Sequence, residues 1–141
     1  MRILNLGLFT SLLLFTITTM GDMKQIHHSV DKYSKVFNID RKLILAIIQV
    51  ESNFKVNSKS NTKDYGLMQL NHKSMNVFCG NKKRLLSDID YSIMCGVAFL
   101  SKIKKKYGRK EIYWWARYHS STPIHRDRYI KKIQKVLWGV S

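Results

Sequence analysis

Proline is almost missing from the 141 residues: Pro123 stands alone. Alternating β-branched runs are also few, so little in the chain interrupts helices and little specifies sheet. The expectation is a mostly α protein. Acidic residues are scarce, nine Asp and Glu against 25 Lys and Arg, and Glu51 and Glu111 are the only glutamates. Cysteine is limited to Cys79 and Cys95, at neither a metal-binding nor a redox-motif spacing. The five histidines, His27, His28, His72, His119 and His125, form no Cys/His cluster and no His-Glu-x-x-His pattern. No metal site and no cofactor are therefore expected. Internal repeats and low-complexity linkers are lacking too. With 45% hydrophobic residues the chain can bury one real core, and a single domain is expected.

What is abundant is positive charge. A formal net charge of +16 implies an acidic partner: nucleic acid, anionic lipid or the acidic bacterial cell wall. Charge alone does not choose among these, and a solvated basic face is the plain alternative. Residues 1–21 carry Arg2 and an apolar run from Ile3 through Ile17, then Thr18, Thr19, Met20 and Gly21. This looks like a secretory signal peptide, or a signal anchor if it stays uncleaved. The apolar part is short against the ~20 residues of a spanning helix. No cysteine lies near the junction, so a lipoprotein is not indicated. Export favours a disulfide between Cys79 and Cys95 over two buried free thiols.

Past Gly21, Ile26, Val30, Tyr33 and Phe37 recur at helical spacing, and Asn38 with Asp40 breaks the pattern. A central helix follows. Asp40 can cap it, and Leu43, Ile44, Ile47, Val50 and Phe54 give it an apolar face ending near Ser52 and Asn53. Glu51 thus falls in the last turn, where the negative end of the helix dipole and apolar neighbours both disfavour a charged carboxylate. A carboxyl that keeps its proton suits a general acid. A solvated Glu at a frayed helix end is the bland alternative.

The Ser-, Asn- and Lys-rich stretch 55–65 reads as a surface loop able to wall a cleft. Gly66 permits a turn, and Asn71 can start a short helix through Val77. Gln69 is the one polar residue in the apolar run Gly66 to Leu70, and taken alone it reads as a satisfied core glutamine. Residues 79–87 read as a loop. Asp88 or Asp90 can cap a long helix that Gly108 ends, with Lys102, Lys104, Lys105, Lys106, Arg109 and Lys110 near its C-terminus. A helix is expected from Glu111 to His119, rich in Tyr113, Trp114, Trp115 and Tyr118. A turn at 120–123 leads to a last amphipathic helix carrying Tyr129, Ile130, Ile133, Val136 and Leu137.

Two of these stretches carry a resemblance. Ala46 through Phe54, containing Glu51-Ser52, is similar to the catalytic Glu-Ser motif of the SLT-type lytic transglycosylases, and Gly66-Leu67-Met68-Gln69-Leu70 is similar to their Gly-Leu-Met-Gln motif. Ala116-Arg117-Tyr118-His119-Ser120 resembles the third motif, usually Ala-x-Tyr-Asn, with His119 where many members have Asn and Ser121 in place of a small Gly-type turn residue. Tyr129-Ile130-Lys131-Lys132 resembles the closing segment. The acidic residue often found shortly before that closing Tyr is missing, with His125 in its neighbourhood. Asp64-Tyr65-Gly66 looks like the branch found with specialised secretion systems.

The resemblance spans roughly Val30 to Leu137 and implies a single lysozyme-like helical domain with a substrate cleft, occupying residues 22–141. It implies cleavage of the β-1,4 bond between N-acetylmuramic acid and N-acetylglucosamine of peptidoglycan, leaving 1,6-anhydromuramic products, with Glu51 as acid and base. Ser52, Met68, Gln69, Tyr118 and His119 would be substrate-binding. The partners implied are peptidoglycan and a secretion or wall-spanning machine, with no nucleic acid. The protein would be a monomer, exported to the periplasm or anchored in the inner membrane. Two rivals remain: a lysozyme-type hydrolase of the same fold using Asp64, and a non-catalytic wall-binding component of a secretion apparatus.

Overall fold

The computed structural model describes residues 6–74 and 79–139, with side chains described from Met20 onward. Helix α1 runs from Leu6 to Phe37. It does not break at Gly21, so the expected junction between leader and domain lies inside a continuous helix. No helix among the described residues is long and apolar enough to cross a membrane. In the second half of α1, Ile26, Val30 and Tyr33 are buried. They face a long helix, α4 (Ile89–Tyr107). Ser29 Oγ, Tyr33 Oη and Lys32 Nζ all donate to the Asp90 carboxylate at 2.9, 2.7 and 3.2 Å, pinning the pair in register.

Asn38, with φ of 50°, ends α1 in the left-handed region. The chain then re-enters helix as α2 (Arg41–Ser52), whose first turn is capped by Asp40 accepting from the Leu43 N–H at 2.9 Å. Ile44, Ile47 and Ile48 are fully buried. Each contributes about 1.5–3 kcal/mol relative to exposure. Asn53, in the left-handed conformation with φ of 49°, donates its N–H to Gln49 O and stops the helix one residue after Ser52.

A two-stranded antiparallel hairpin follows, β1 (Asp64–Tyr65) paired with β2 (Leu70–Asn71). Its turn needs Gly66, whose φ is +78° and whose absent Cβ would overlap Leu85 O and Ser92 Oγ. Gly96 on α4 leaves the slot into which Met68 inserts, since a Cβ there would meet the Met68 side chain. Asn71 Oδ1 accepts from the Lys73 N–H, and a helical turn begins at His72. Val77, the expected end of that helix, lies outside the described residues.

Cys79 and Cys95 form a disulfide with Cα atoms 6.0 Å apart, tying the stretch before α4 to the helix itself. Residues 79–87 are not wholly loop: a short helix, α3 (Lys82–Leu85), forms there, capped by Asn81 accepting from the Arg84 N–H at 3.1 Å. A single fully buried residue, Leu85, anchors it. Two adjacent leucines, Leu85 and Leu86, in a lysine-rich stretch carry no helical periodicity to detect.

Asp88, not Asp90, caps α4, accepting from the Tyr91 N–H at 3.0 Å, and Gly108 is its C-cap. The expected α-helix from Glu111 to His119 is instead a short 3-10 helix, η1 (Trp114–Tyr118). Three residues per turn place Trp115 and Tyr118 on one side, and both are buried. An Arg117 fork onto Glu111, with contacts of 2.6 and 3.0 Å, holds the stretch before η1 against it. Pro123 then opens α5 (Pro123–Trp138) at its first turn, and Gly139 closes it with φ of 63°. Helix α5 packs on α2 through Tyr129 and Ile133. The fold is mostly helical and lysozyme-like, and the hairpin sits beside the meeting point of α2, α4, η1 and α5.

Candidate active site

The end of α2, the β1–β2 hairpin and η1 enclose a cleft of about 650 Å³. Glu51 lines it, held in the last turn of α2 by the left-handed stop at Asn53, with its side chain only 12% exposed. Its Oε1 is buried and has no hydrogen-bond partner among the described residues. Beneath it stands Tyr129 from α5, which is 1% exposed. Burial first, and then the Glu51 charge, push the Tyr129 hydroxyl well above the ordinary phenol range, so it keeps its proton. The carboxylate acts on this hydroxyl, yet neither Glu51 Oε1 nor Tyr129 Oη completes a hydrogen bond of normal geometry. Both atoms are buried.

Tyr118 also lines the cleft, and its hydroxyl donates to Met68 O at 2.7 Å. Burial, followed by the negative charges of Glu51 and Asp64, raises its pKa well above the usual value. The ring packs on Phe99 at 5.3 Å between centroids. His119 follows on the same wall, its Nδ1 3.6 Å from Glu51 Oε1. Its ring lies flat on Tyr129 at 4.6 Å, with 5° between planes.

The opposite wall is the hairpin. Asp64 accepts from Ser60 Oγ at 2.6 Å and Asn71 Nδ2 at 2.9 Å, and from Thr62 Oγ1. Burial alone would raise its pKa, but these hydrogen bonds, with the charge of His119, outweigh it and hold the carboxyl below the ordinary range. Gln69 lines the cleft in a left-handed conformation, φ 45°, and its Nε2 donates to Ser58 O at 3.0 Å and Gly66 O at 2.8 Å. Its amide nitrogen therefore braces the loop that the Gly66 turn closes.

Of the site residues read from sequence, the fold brings Glu51, Gln69, Tyr118 and His119 to one cleft. Met68 and Ser52 stand behind the wall. Met68 is fully buried against Gly96, and Ser52 Oγ turns back to donate to Ile48 O at 3.1 Å. Neither lines the cleft. Tyr129, read as part of the last helix's apolar face, sits beside the acid. The signal available was its hydroxyl on an otherwise aliphatic stripe at the head of the closing segment. Arg117, at the unspecified position of the third motif, and Phe99, which no sequence pattern marked, line the cleft as well. No three His, Cys, Asp or Glu side chains among the described residues gather as a metal-ligand group.

A carboxyl at the end of a buried helix, facing a cleft whose far wall is a Gly-Leu-Met-Gln hairpin, defines a class. Residues 28–134 match the family described as the transglycosylase SLT domain, and the chain belongs to that family. Among its relatives, Invasion protein IagB of Salmonella typhimurium is 32% identical over 114 residues, covering 74% of this chain and 69% of that protein. Invasion protein IagB of Salmonella typhi is 33% identical over 113 residues, with the same coverage.

Proposed function

We propose that this protein is a peptidoglycan lytic transglycosylase in which Glu51 is the single acid and base. The observation that carries the reading is the contrast between the two carboxylates of the cleft. Glu51 lines the cleft and no hydrogen bond of normal geometry occupies its Oε1, whereas Asp64 already accepts from Ser60, Thr62 and Asn71. Protonated Glu51 gives its proton to the glycosidic oxygen as the bond from the muramic C1 breaks. The substrate's acetamido group supports the cationic carbon. Glu51, now a base, takes the proton of the muramic 6-hydroxyl as that oxygen bonds to C1, which closes a 1,6-anhydro ring and returns the acid. Water takes no part. Mass spectrometry of digested, purified peptidoglycan tests this: anhydro-muropeptides without reducing ends are expected, and reducing-end products as the main yield reject it.

One observation favours a second reading. Asp64 lines the same cleft, so a two-carboxylate hydrolase with water as nucleophile is its natural rival, and the same digest separates them.

The expected leader, the secretion-associated Asp64-Tyr65-Gly66 lead-in and the relatives named for invasion together support an exported enzyme. It would open the wall for an envelope-spanning machine, as a monomer. N-terminal sequencing of exported protein decides between a cleaved signal peptide at 1–21 and an anchor. An intact Met1 rejects cleavage.

A further inference from the structure

His119 is placed by two constraints that do not depend on each other. Its backbone follows η1, with its N–H bonded to Ala116 O at 3.3 Å. Its ring is fixed from the other side by stacking on Tyr129, a residue locked in the core by α5. The two together leave Nδ1 3.6 Å from Glu51 Oε1. That is long for a hydrogen bond and well within reach of an ion pair. The electron-rich face of a tyrosine ring also favours a cationic partner lying on it. With 45% of its side chain exposed, the imidazole is open to solvent.

The charged and titratable groups around it are Glu51 from α2, Asp64 from β1, Tyr129 from α5, and Arg117 and Tyr118 beside it in η1. Arg117 is engaged by Glu111. Tyr118 and Tyr129 hold their protons. Asp64 is satisfied by its hydroxyl and amide donors. Glu51 is the remaining anion, and apart from the influence it exerts on the Tyr129 hydroxyl no group completes a hydrogen bond of normal geometry to its Oε1. A carboxylate left ionised with no well-formed hydrogen bond in a mostly buried site is costly, and the proposed reaction creates that species midway.

Resting on the transglycosylase reading above, we propose that His119 is a positioning residue that acts through Glu51. Its imidazolium holds the Glu51 carboxylate in place between the moment it gives its proton to the leaving oxygen and the moment it takes one from the 6-hydroxyl. His119 itself forms and breaks no bond to the sugar, and it carries the same proton into the cycle and out of it. An asparagine at this position offers a neutral amide. The histidine makes the support of the acid depend on pH.

Two measurements on the full chain test the proposal. The first needs no turnover: the ring signals of His119 followed by NMR across a pH titration. In wild type they should show a second inflection as Glu51 ionises, and Glu51→Gln should remove it. Identical single-step curves in both proteins overturn the pair. The second is the ratio of wild-type kcat to that of His119→Asn, which should be about tenfold on the acid side and fall toward one as pH rises through the titration of the imidazole, with KM little changed. A structural role would lower activity by the same factor at every pH, and a flat ratio therefore overturns the proposal. Should wild type make no anhydro product at any pH, the reaction reading fails by itself, and the NMR inflection still decides whether His119 and Glu51 are coupled.

Discussion

The Tyr118 hydroxyl donates to the Met68 carbonyl oxygen across 50 positions of sequence, and this one bond ties η1 to the hairpin on the other side of the cleft. It explains how the Gly-Leu-Met-Gln stretch contributes to the site although Met68's own side chain is sealed in the core. Tyr118→Phe keeps the ring and leaves Met68 O buried without its donor, which should cost about 1–3 kcal/mol. The thermal midpoint should fall by several degrees, and activity should fall as the two walls lose their spacing. Unchanged melting and unchanged turnover would show that the bond does not hold the cleft.

Glu51→Gln should leave the fold intact and remove activity, because the amide is nearly isosteric and can neither give nor take back the proton. A loss of at least about a hundredfold is expected from removing an acid–base group. Peptidoglycan turbidity clearance on folded protein, verified by circular dichroism, is the check. Clearance close to wild type would sink the assignment of the acid.

Asp64 leads to a pH prediction with a definite sign. Its folded-state pKa is depressed, so its contribution to stability is fully present above the unfolded value of about 3.9 and is lost as pH falls through the folded one. Asp64→Asn should melt lower than wild type at neutral pH, and the gap should close as pH drops below about 4. The variant should retain substantial activity, since on the proposed single-acid reading Asp64 would shape the loop before Gly66 and take no part in bond breaking. A gap that stays constant in acid rejects the stability argument, and loss of activity as severe as that of Glu51→Gln moves the balance to the hydrolase reading.

Reduction of the Cys79–Cys95 bridge, which closes a separation of 16 residues, should lower stability by about 3 kcal/mol in the chain-entropy view. Denaturant midpoints with and without reductant measure this. Two titratable thiols in exported, non-reduced protein would show that the bridge does not form in the cell.

Local signals in the sequence determined α2, which carries Glu51, and the caps of α2 and α4. Asp40, Asp88 and Gly108 act within a turn of where they stand, and the apolar period of α2 runs through consecutive residues. The same local reading failed at η1, where aromatic density looked like an α-helix. What decided there was the burial of Trp115 and Tyr118 against distant α4 and α5 and the Arg117 fork onto Glu111. It failed again at α3, which the buried Leu85 anchors. The motifs singled out Glu51, Gln69, Tyr118 and His119, and the fold brings these four to one cleft. Only tertiary structure decided that Met68 and Ser52 stand behind the wall, that Asp64 is saturated, and that Tyr129 and His119 stack beside the acid. Those relations join residues from α2, the hairpin, η1 and α5, far apart in the chain. Hydrogen-bond saturation, burial and ring stacking between such segments exist only after the helices have packed.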